Sequence, residues 1–337
     1  MSTAIDELDF TRQPIGLDAL TAGGRPQVLR GVCRHWPIVQ KARESETAFA
    51  QALVAYDNGS PVDVLHMPPE ARGVVGYNAT IDGFNYRHFK VSVTDVLQRL
   101  AAYSRHDNVP GLAMQSALIE GCLPGFAEAH PMPLLDPSVQ PRLWIGNTVT
   151  TPAHFDSSHN IAVVVCGRRR FTLFPPEQVA NLYVGPIDFA PTVAAMSLPR
   201  LDEAGDPRYP RLKEALRHAL VAELEPGDAI YMPPVWWHHV QSLERLNALV
   251  NYWWRPGAYA GHVPDPGLEA LMHAILAYKA LPKSERDAWK AMLEHYVFND
   301  ADPAEHIPTE RRGVLGPLDA NRAARLRLLA GKDKKGP

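Results

Sequence analysis

The spacing of apolar and polar positions changes character twice along this chain. Over the first hundred residues, short alternating runs trade places with helical spacing. Residues 28–32 and 62–65 read as strands. Residues 45–56 read as a helix with Phe49, Leu53 and Val54 on one side, and residues 92–103 as a helix carrying Val96, Leu97 and Leu100. From about residue 142 the pattern turns to β. Strands are predicted over 143–148, 160–166, 170–174 around Gly167, 229–232 after the turn Pro226-Gly227-Asp228, and 248–254. Short strands punctuated this densely by glycine and proline predict an antiparallel jelly-roll or barrel. The stretch 186–210, rich in proline and aspartate and without a period, reads as a long insert over the barrel mouth. Beyond Pro256 helical spacing returns. Leu268, Leu271, Met272, Ile275 and Leu276 share one face. Trp289, Met292, Leu293, Tyr296 and Val297 share another, with Ser284 as an N-cap candidate. An αα-hairpin of this kind needs a partner surface, either a second copy in a homodimer or the barrel of its own chain. The expected organisation is therefore a β-rich domain over 1–256, with core strands from about 142, and a C-terminal helical extension over 257–337.

Composition narrows the picture. At 337 residues one barrel with extensions is as reasonable as two domains, and 46% hydrophobic against 21% charged residues is ordinary for a globular chain. The net charge of -3 argues against nucleic acid as a partner. Arg168-Arg169-Arg170 and Lys332-Asp333-Lys334-Lys335 are the basic clusters, the second read as a frayed tail. The three cysteines, Cys33, Cys122 and Cys166, lack metal-site spacing, and Cys166 ends an apolar run that marks it as a core residue. A reducing compartment is expected. With neither a leader pattern in residues 1–20 nor a membrane-length apolar run, that compartment is the cytoplasm.

Candidate chemistry lies in Thr151-Pro152-Ala153-His154-Phe155-Asp156 and, some eighty residues later, Trp236-Trp237-His238-His239-Val240. A histidine and a carboxylate two apart on a strand point the same way. A third histidine from a distant strand would complete a 2-His-1-carboxylate face, which leaves the opposite side of a metal open. His238 and His239 are adjacent, so on a strand only one of them can reach a metal, and His159 is a third candidate. Arg169 alternates with Phe171 and Leu173 and so faces inward, with Arg170 and Thr172 outward. An inward guanidinium needs an anionic partner, either a ligand carboxylate or a structural acid. Asn251 shares a face with Leu249 and Trp253 and needs a hydrogen-bond partner of its own.

These motifs, with Asn160, Gly167-Arg168-Arg169-Arg170-Phe171-Thr172-Leu173-Phe174-Pro175-Pro176 and Val250-Asn251-Tyr252-Trp253, resemble those of the cupin-like JmjC-type 2-oxoglutarate oxygenases. The resemblance is particularly to the branch containing the asparaginyl hydroxylase called factor inhibiting HIF. The resemblance implies a double-stranded β-helix (jelly-roll) core with flanking N-terminal α/β elements, Fe(II) held by His154, Asp156 and His238, and 2-oxoglutarate and O2 as co-substrates. It implies that Thr151 and Arg169 meet the distal carboxylate of 2-oxoglutarate, and that Asn160 and Asn251 line the keto-acid and iron neighbourhood. Trp253 and His239 would stand beside the cavity. Lysine is usual in that family where this chain has Arg169. A tyrosine that contacts the co-substrate in the asparaginyl hydroxylase is matched here by Ala113, with Gln115 facing the site. The implied reaction is a dioxygenase hydroxylation on a protein or peptide side chain. A small molecule or modified nucleoside, an N-methyl group, and a non-catalytic metal-binding cupin remain open alternatives, as does a zinc or manganese enzyme.

Overall fold

The computed structural model describes residues 3–191, 194–255 and 268–330, so the basic tail at 332–335 lies outside the described residues. The chain forms two compact units, 1–254 and 255–337. Strands in the first unit run in the order β1 (Thr3–Ala4), β2 (Asp6–Asp9), β3 (Gln27–Arg30), β4 (Val62–Met67), β5 (Arg87–Val91), β6 (Gly111–Leu118) and β7 (Arg142–Gly146). They continue with β8 (Thr150–His154), β9 (His159–Cys166), β10 (Arg169–Phe174), β11 (Leu220–Leu224), β12 (Ala229–Met232), β13 (Trp237–Ser242) and β14 (Asn247–Trp254). One sheet has the order β1-β11-β10-β13-β8 and the other β2-β3-β12-β9-β14-β7-β6-β4-β5. From β7 onward, strands therefore alternate between the two sheets except for the hairpin of β10 and β11, which both lie in the smaller sheet; this is the winding of a double-stranded β-helix.

Each face of the large sheet has its own apolar lining. Strand β9 is buried along nearly its whole length, and its β-branched run Ile161–Val165 fits a strand covered on both sides. Ile161, Val163 and Val165 point outward to a core shared with helices, whereas Ala162 and Val164 point into the barrel against Phe171, Leu173 and Leu224 of the small sheet. The helix Val93–Tyr103 supplies Val96, Leu97 and Leu100 to the outer core, and a reciprocal Ser92–Asp95 capping box fixes its start. The sequence reading missed β5, β11 and the helix Pro37–Glu44, all short or led by proline.

The insert is placed differently from expectation. Where described, it packs on the outer face of the small sheet, with Leu201, Ala204 and Tyr209 joining the apolar cluster of Ala153, Phe174 and Trp237. Ser197 N–H donates to the Ala153 carbonyl at 2.8 Å. Outward apolar residues on β8, β10 and β13 explain the correction, because they need cover. In the second unit the helices Leu268–Tyr278 and Lys283–Leu293 occur as expected, but the second begins with Pro282 at its N-cap rather than Ser284. Their apolar side chains Leu271, Met272, Trp289 and Met292 are exposed. No helix among the described residues is long and apolar enough to cross a membrane.

Two outcomes test this architecture. Gly167 turns β9 into β10 at φ +68°, and a Cβ there would collide with the Leu246 carbonyl and sit 2.6 Å from Asn247 Oδ1. Gly167→Ala should lower unfolding free energy by about 2 kcal/mol or more in urea titration. His130 is buried between the Phe126 carbonyl, 2.7 Å from Nδ1, and the Ile38 N–H, which donates to Nε2 at 3.0 Å. That pair of partners requires the neutral ring, and burial pushes its pKa below the ordinary 6.5. Below that value the unfolded chain binds a proton that the folded chain refuses, so stability falls as pH drops from about 6.5. His130→Gln should flatten the urea midpoint's dependence between roughly pH 6.5 and 5; an unchanged slope would show that His130 does not titrate this way.

Candidate metal centre

His154 closes β8 and pairs directly with His238 of β13, and directly opposed residues share a face. The ladder between them is irregular, for Val240 pairs with Thr151 and leaves Pro152 and Ala153 opposite His239 alone. Proline has no N–H for the ladder and is at home in such a bulge on an edge strand. Asp156, two residues beyond His154, comes back to the same point. Nitrogen and oxygen ligand atoms of His154, Asp156 and His238 all lie within 4.8 Å of one another. His238 Nε2 is 3.5 Å from Asp156 Oδ2, and the two imidazole rings are 4.2 Å apart.

Both rings are held from behind. His154 Nδ1 is 2.9 Å from the Pro152 carbonyl, and His238 Nδ1 is 3.0 Å from that of Trp236. A carbonyl only accepts, so each Nδ1 carries the proton and each Nε2 keeps its lone pair for the centre. Burial, followed by the neighbouring His238, pushes His154 down to about 4. Burial alone would raise Asp156, but the two imidazoles and the hydrogen bonds from Trp253 and Asn160 outweigh it and hold the carboxyl below its ordinary value. At neutral pH the trio therefore offers a neutral His154 and an anionic Asp156, as a divalent cation requires of its ligands.

Around this centre the barrel interior is apolar except for a few groups. Asp156 Oδ2 accepts from Asn160 Nδ2 at 2.9 Å and from Trp253 Nε1 at 3.0 Å. Asn251 Nδ2 donates to Asn160 Oδ1 at 3.2 Å, and Trp144 Nε1 donates to Asn251 Oδ1 at 2.7 Å. Trp144 escaped the sequence reading. A tryptophan flanked by Leu143 and Ile145 on a strand was the available signal, since an indole N–H inside a core needs an acceptor.

Thr151, opposite Val240, lies between the histidine pair and Arg169, which is opposite Ser242. Arg169 is buried, its Nε has no partner, and among the described residues no carboxylate forms an ion pair with it. Burial without a compensating acid lowers even this guanidinium to about 10. Ala113 sits in an apolar cluster with Leu65, Met67 and Val75, and Tyr86 packs on that cluster while its hydroxyl donates to the Pro191 carbonyl. Gln115 is half-buried at a break in the β6–β7 ladder, between Met114 and Ala117.

Two histidines are not brought to the centre. His159 sits 2.9 Å from the Tyr231 hydroxyl and stacks on Trp254. His239 faces the other side of the small sheet, where burial pushes it down to about 4. It lines a hollow of about 780 Å³ between the sheet and the insert, together with Thr172, Gln241 and Arg200; none of the three metal-site residues borders it. The cysteines are buried, with the thiols of Cys122 and Cys166 pushed up to about 11 and 12, which keeps them protonated and poor nucleophiles.

Comparison with known proteins agrees with this geometry. The model of the cupin-like domain matches residues 14–259. The Drosophila melanogaster Jumonji C domain-containing protein 5 is 26% identical over 247 residues, 68% of this chain and 55% of that protein. Human HSPB1-associated protein 1 is 35% identical over 113 residues, 33% of this chain and 22% of its own. The Arabidopsis thaliana lysine-specific demethylase JMJ31 is 32% identical over 155 residues, 45% of this chain and 27% of its own. The chain thus spans about half the length, or less, of these relatives. It belongs to the cupin-like domain family.

Proposed function

We propose that this protein is an Fe(II)- and 2-oxoglutarate-dependent dioxygenase that hydroxylates a C–H bond, with a protein or peptide side chain as the leading substrate. The observation that carries the reading is the buried, unpaired Arg169 on the same inner surface as the His154–Asp156–His238 face. A buried cation without an acid is costly, and a bound carboxylate removes the cost. The fit is one of levels along the strands. His238 pairs with Leu173, and Arg169 lies four residues away on the same strand, about 13 Å at the usual rise. Thr151 stands between them. An arginine reaching back along that distance leaves room for a short dicarboxylate whose other end meets the metal.

Bound together, Fe(II) and 2-oxoglutarate supply oxidative decarboxylation of the keto acid by O2, coupled to C–H hydroxylation, with succinate and CO2 as co-products. The protein's part is positional. His154, His238 and Asp156 hold the metal on one face, and Arg169 and the Thr151 hydroxyl grip the distal carboxylate. Phe171, Leu173 and Leu249 keep that stretch dry. Demethylation is the second reading, favoured by the name of the Arabidopsis relative; an N-methyl group would undergo the same C–H chemistry.

Purified protein with Fe(II) and 2-oxoglutarate under air should release succinate, and should not do so without oxygen. With cell extract, mass spectrometry should find a product one oxygen heavier; formaldehyde release instead would select demethylation. His154→Ala and Asp156→Ala should abolish turnover, and His239→Ala should cost far less than His238→Ala. Equal losses at both histidines would refute the ligand choice. Arg169→Ala should raise the 2-oxoglutarate KM by about 10- to 100-fold, the worth of one charged hydrogen-bonded pair, with the Fe(II) requirement little changed. An unchanged KM would remove Arg169 from the co-substrate site.

A further inference from the structure

Three side chains on the inner face of the large sheet form a single donor line that ends on the metal-site carboxylate of Asp156. Trp144 lies on β7, Asn251 on β14 and Asn160 on β9, and these three strands are neighbours in the order β9-β14-β7. Trp144 is opposite Leu249, two residues before Asn251, and Asn160 is opposite Trp253, two residues after it. The contacts therefore run along the diagonals of the sheet, within reach of long side chains. Hydrogen bonds of 2.7, 3.2 and 2.9 Å join Trp144 to Asn251, Asn251 to Asn160 and Asn160 to Asp156.

The two ends dictate the middle. An indole N–H can only donate, and an ionised carboxylate can only accept. Each amide between them can satisfy both neighbours in one orientation alone, with its oxygen toward Trp144 and its nitrogen toward Asp156. Asn160 and Asn251 are nearly inaccessible to solvent, at 3% exposure each, so water cannot stand in for a lost partner. A second line, from Trp253 Nε1, reaches the same oxygen at 3.0 Å. Both lines converge on Oδ2, and Oδ1 makes no hydrogen bond among those described.

We infer that Trp144, Asn251 and Asn160 act in series, and Trp253 in parallel with them, as positioning residues that fix the Asp156 carboxylate for one-oxygen coordination of the metal. The inference rests on the metal-centre reading but gives the two asparagines a role that the resemblance does not. There they line the keto-acid and iron neighbourhood; here they orient a metal ligand before any co-substrate arrives. Trp144 contributes from two residues away, without touching the metal site.

The experiment is Co(II) titration of the purified protein without 2-oxoglutarate, read by visible absorption and calorimetry. Thermal melts of the chelator-treated proteins run alongside. Trp144→Phe and Asn251→Leu should each weaken Co(II) binding by about 10-fold, as loss of a ligand's supporting hydrogen bond does. Because they share one line, the double variant should be no weaker than Asn251→Leu alone. Trp253→Phe, on the other line, should multiply the loss of either. Trp144→Phe keeps a ring in the barrel and carries the test should Asn251→Leu fail to fold. Co(II) affinity within about twofold of the parent in Trp144→Phe would overturn the inference. So would multiplying losses in the Trp144→Phe/Asn251→Leu pair, or a change confined to 2-oxoglutarate affinity. If the folded parent protein binds no Co(II), the metal-centre reading falls first and takes this one with it.

Discussion

Polar groups inside an apolar barrel must be answered by other polar groups, and that requirement organises the interior of this protein. Between its two sheets the lining is aliphatic and aromatic, so every nitrogen or oxygen placed there has a partner or a cost. On the large sheet the partners are internal: indoles, amides and carboxylate hand hydrogen bonds from β7 through β14 and β9 to Asp156. On the small sheet the imidazoles of β8 and β13 each lean on the backbone carbonyl two residues before them, and Arg169 on β10 has no acid partner among the described residues. The two sheets thus differ: the large sheet's polar groups are joined to one another, and the buried Arg169 is not joined to an acid among the described residues.

This arrangement depends on sheet geometry more than on loops. The double-stranded β-helix winds β8 and β13 into one sheet as neighbours, so His154 and His238, distant in sequence, become direct cross-strand partners. The break in the ladder at Pro152 and Ala153 lets Thr151 face inward together with His154, three residues on, where strict alternation would send them to opposite sides. Without that bulge, the Thr151 hydroxyl and the His154 imidazole of one short strand could not face one cavity.

Much of this was legible in the sequence. The pair His154 and Asp156, the inward alternation of Arg169 with Phe171 and Leu173, and the opposed directions of His238 and His239 all follow from a period of two. What was not legible depends on which strand lies beside which. Trp144 reads as one more aromatic core residue until β7 is known to border β14, and only then does its N–H meet Asn251. The insert was misplaced for a similar reason. Its lack of period said nothing about where it would pack, and the outward Ala153, Phe174 and Trp237 that attract it lie on three separate strands. Capping signals behaved unevenly. Ser92 starts its helix with a full capping box, but Ser284 is bypassed because Pro282, with its preset φ and no N–H to satisfy, already supplies the start.

Arg169 and Ala113 belong to one argument about shape. Where the family resemblance sets a phenol beside the co-substrate, this chain has a methyl group within an apolar cluster, and the nearby Tyr86 turns its hydroxyl to the Pro191 carbonyl. A lysine ammonium is a point charge that benefits from a neighbouring hydroxyl to share a carboxylate. A guanidinium is planar and can hold both carboxylate oxygens alone. On the proposed reading, losing the phenol and gaining an arginine would be complementary changes, the fork supplying a second hydrogen bond of its own. The same exchange makes the grip more directional. A carboxylate at the wrong height along the strand would meet the edge of the fork or miss it, so this site should discriminate dicarboxylate length more sharply than one built on lysine and tyrosine.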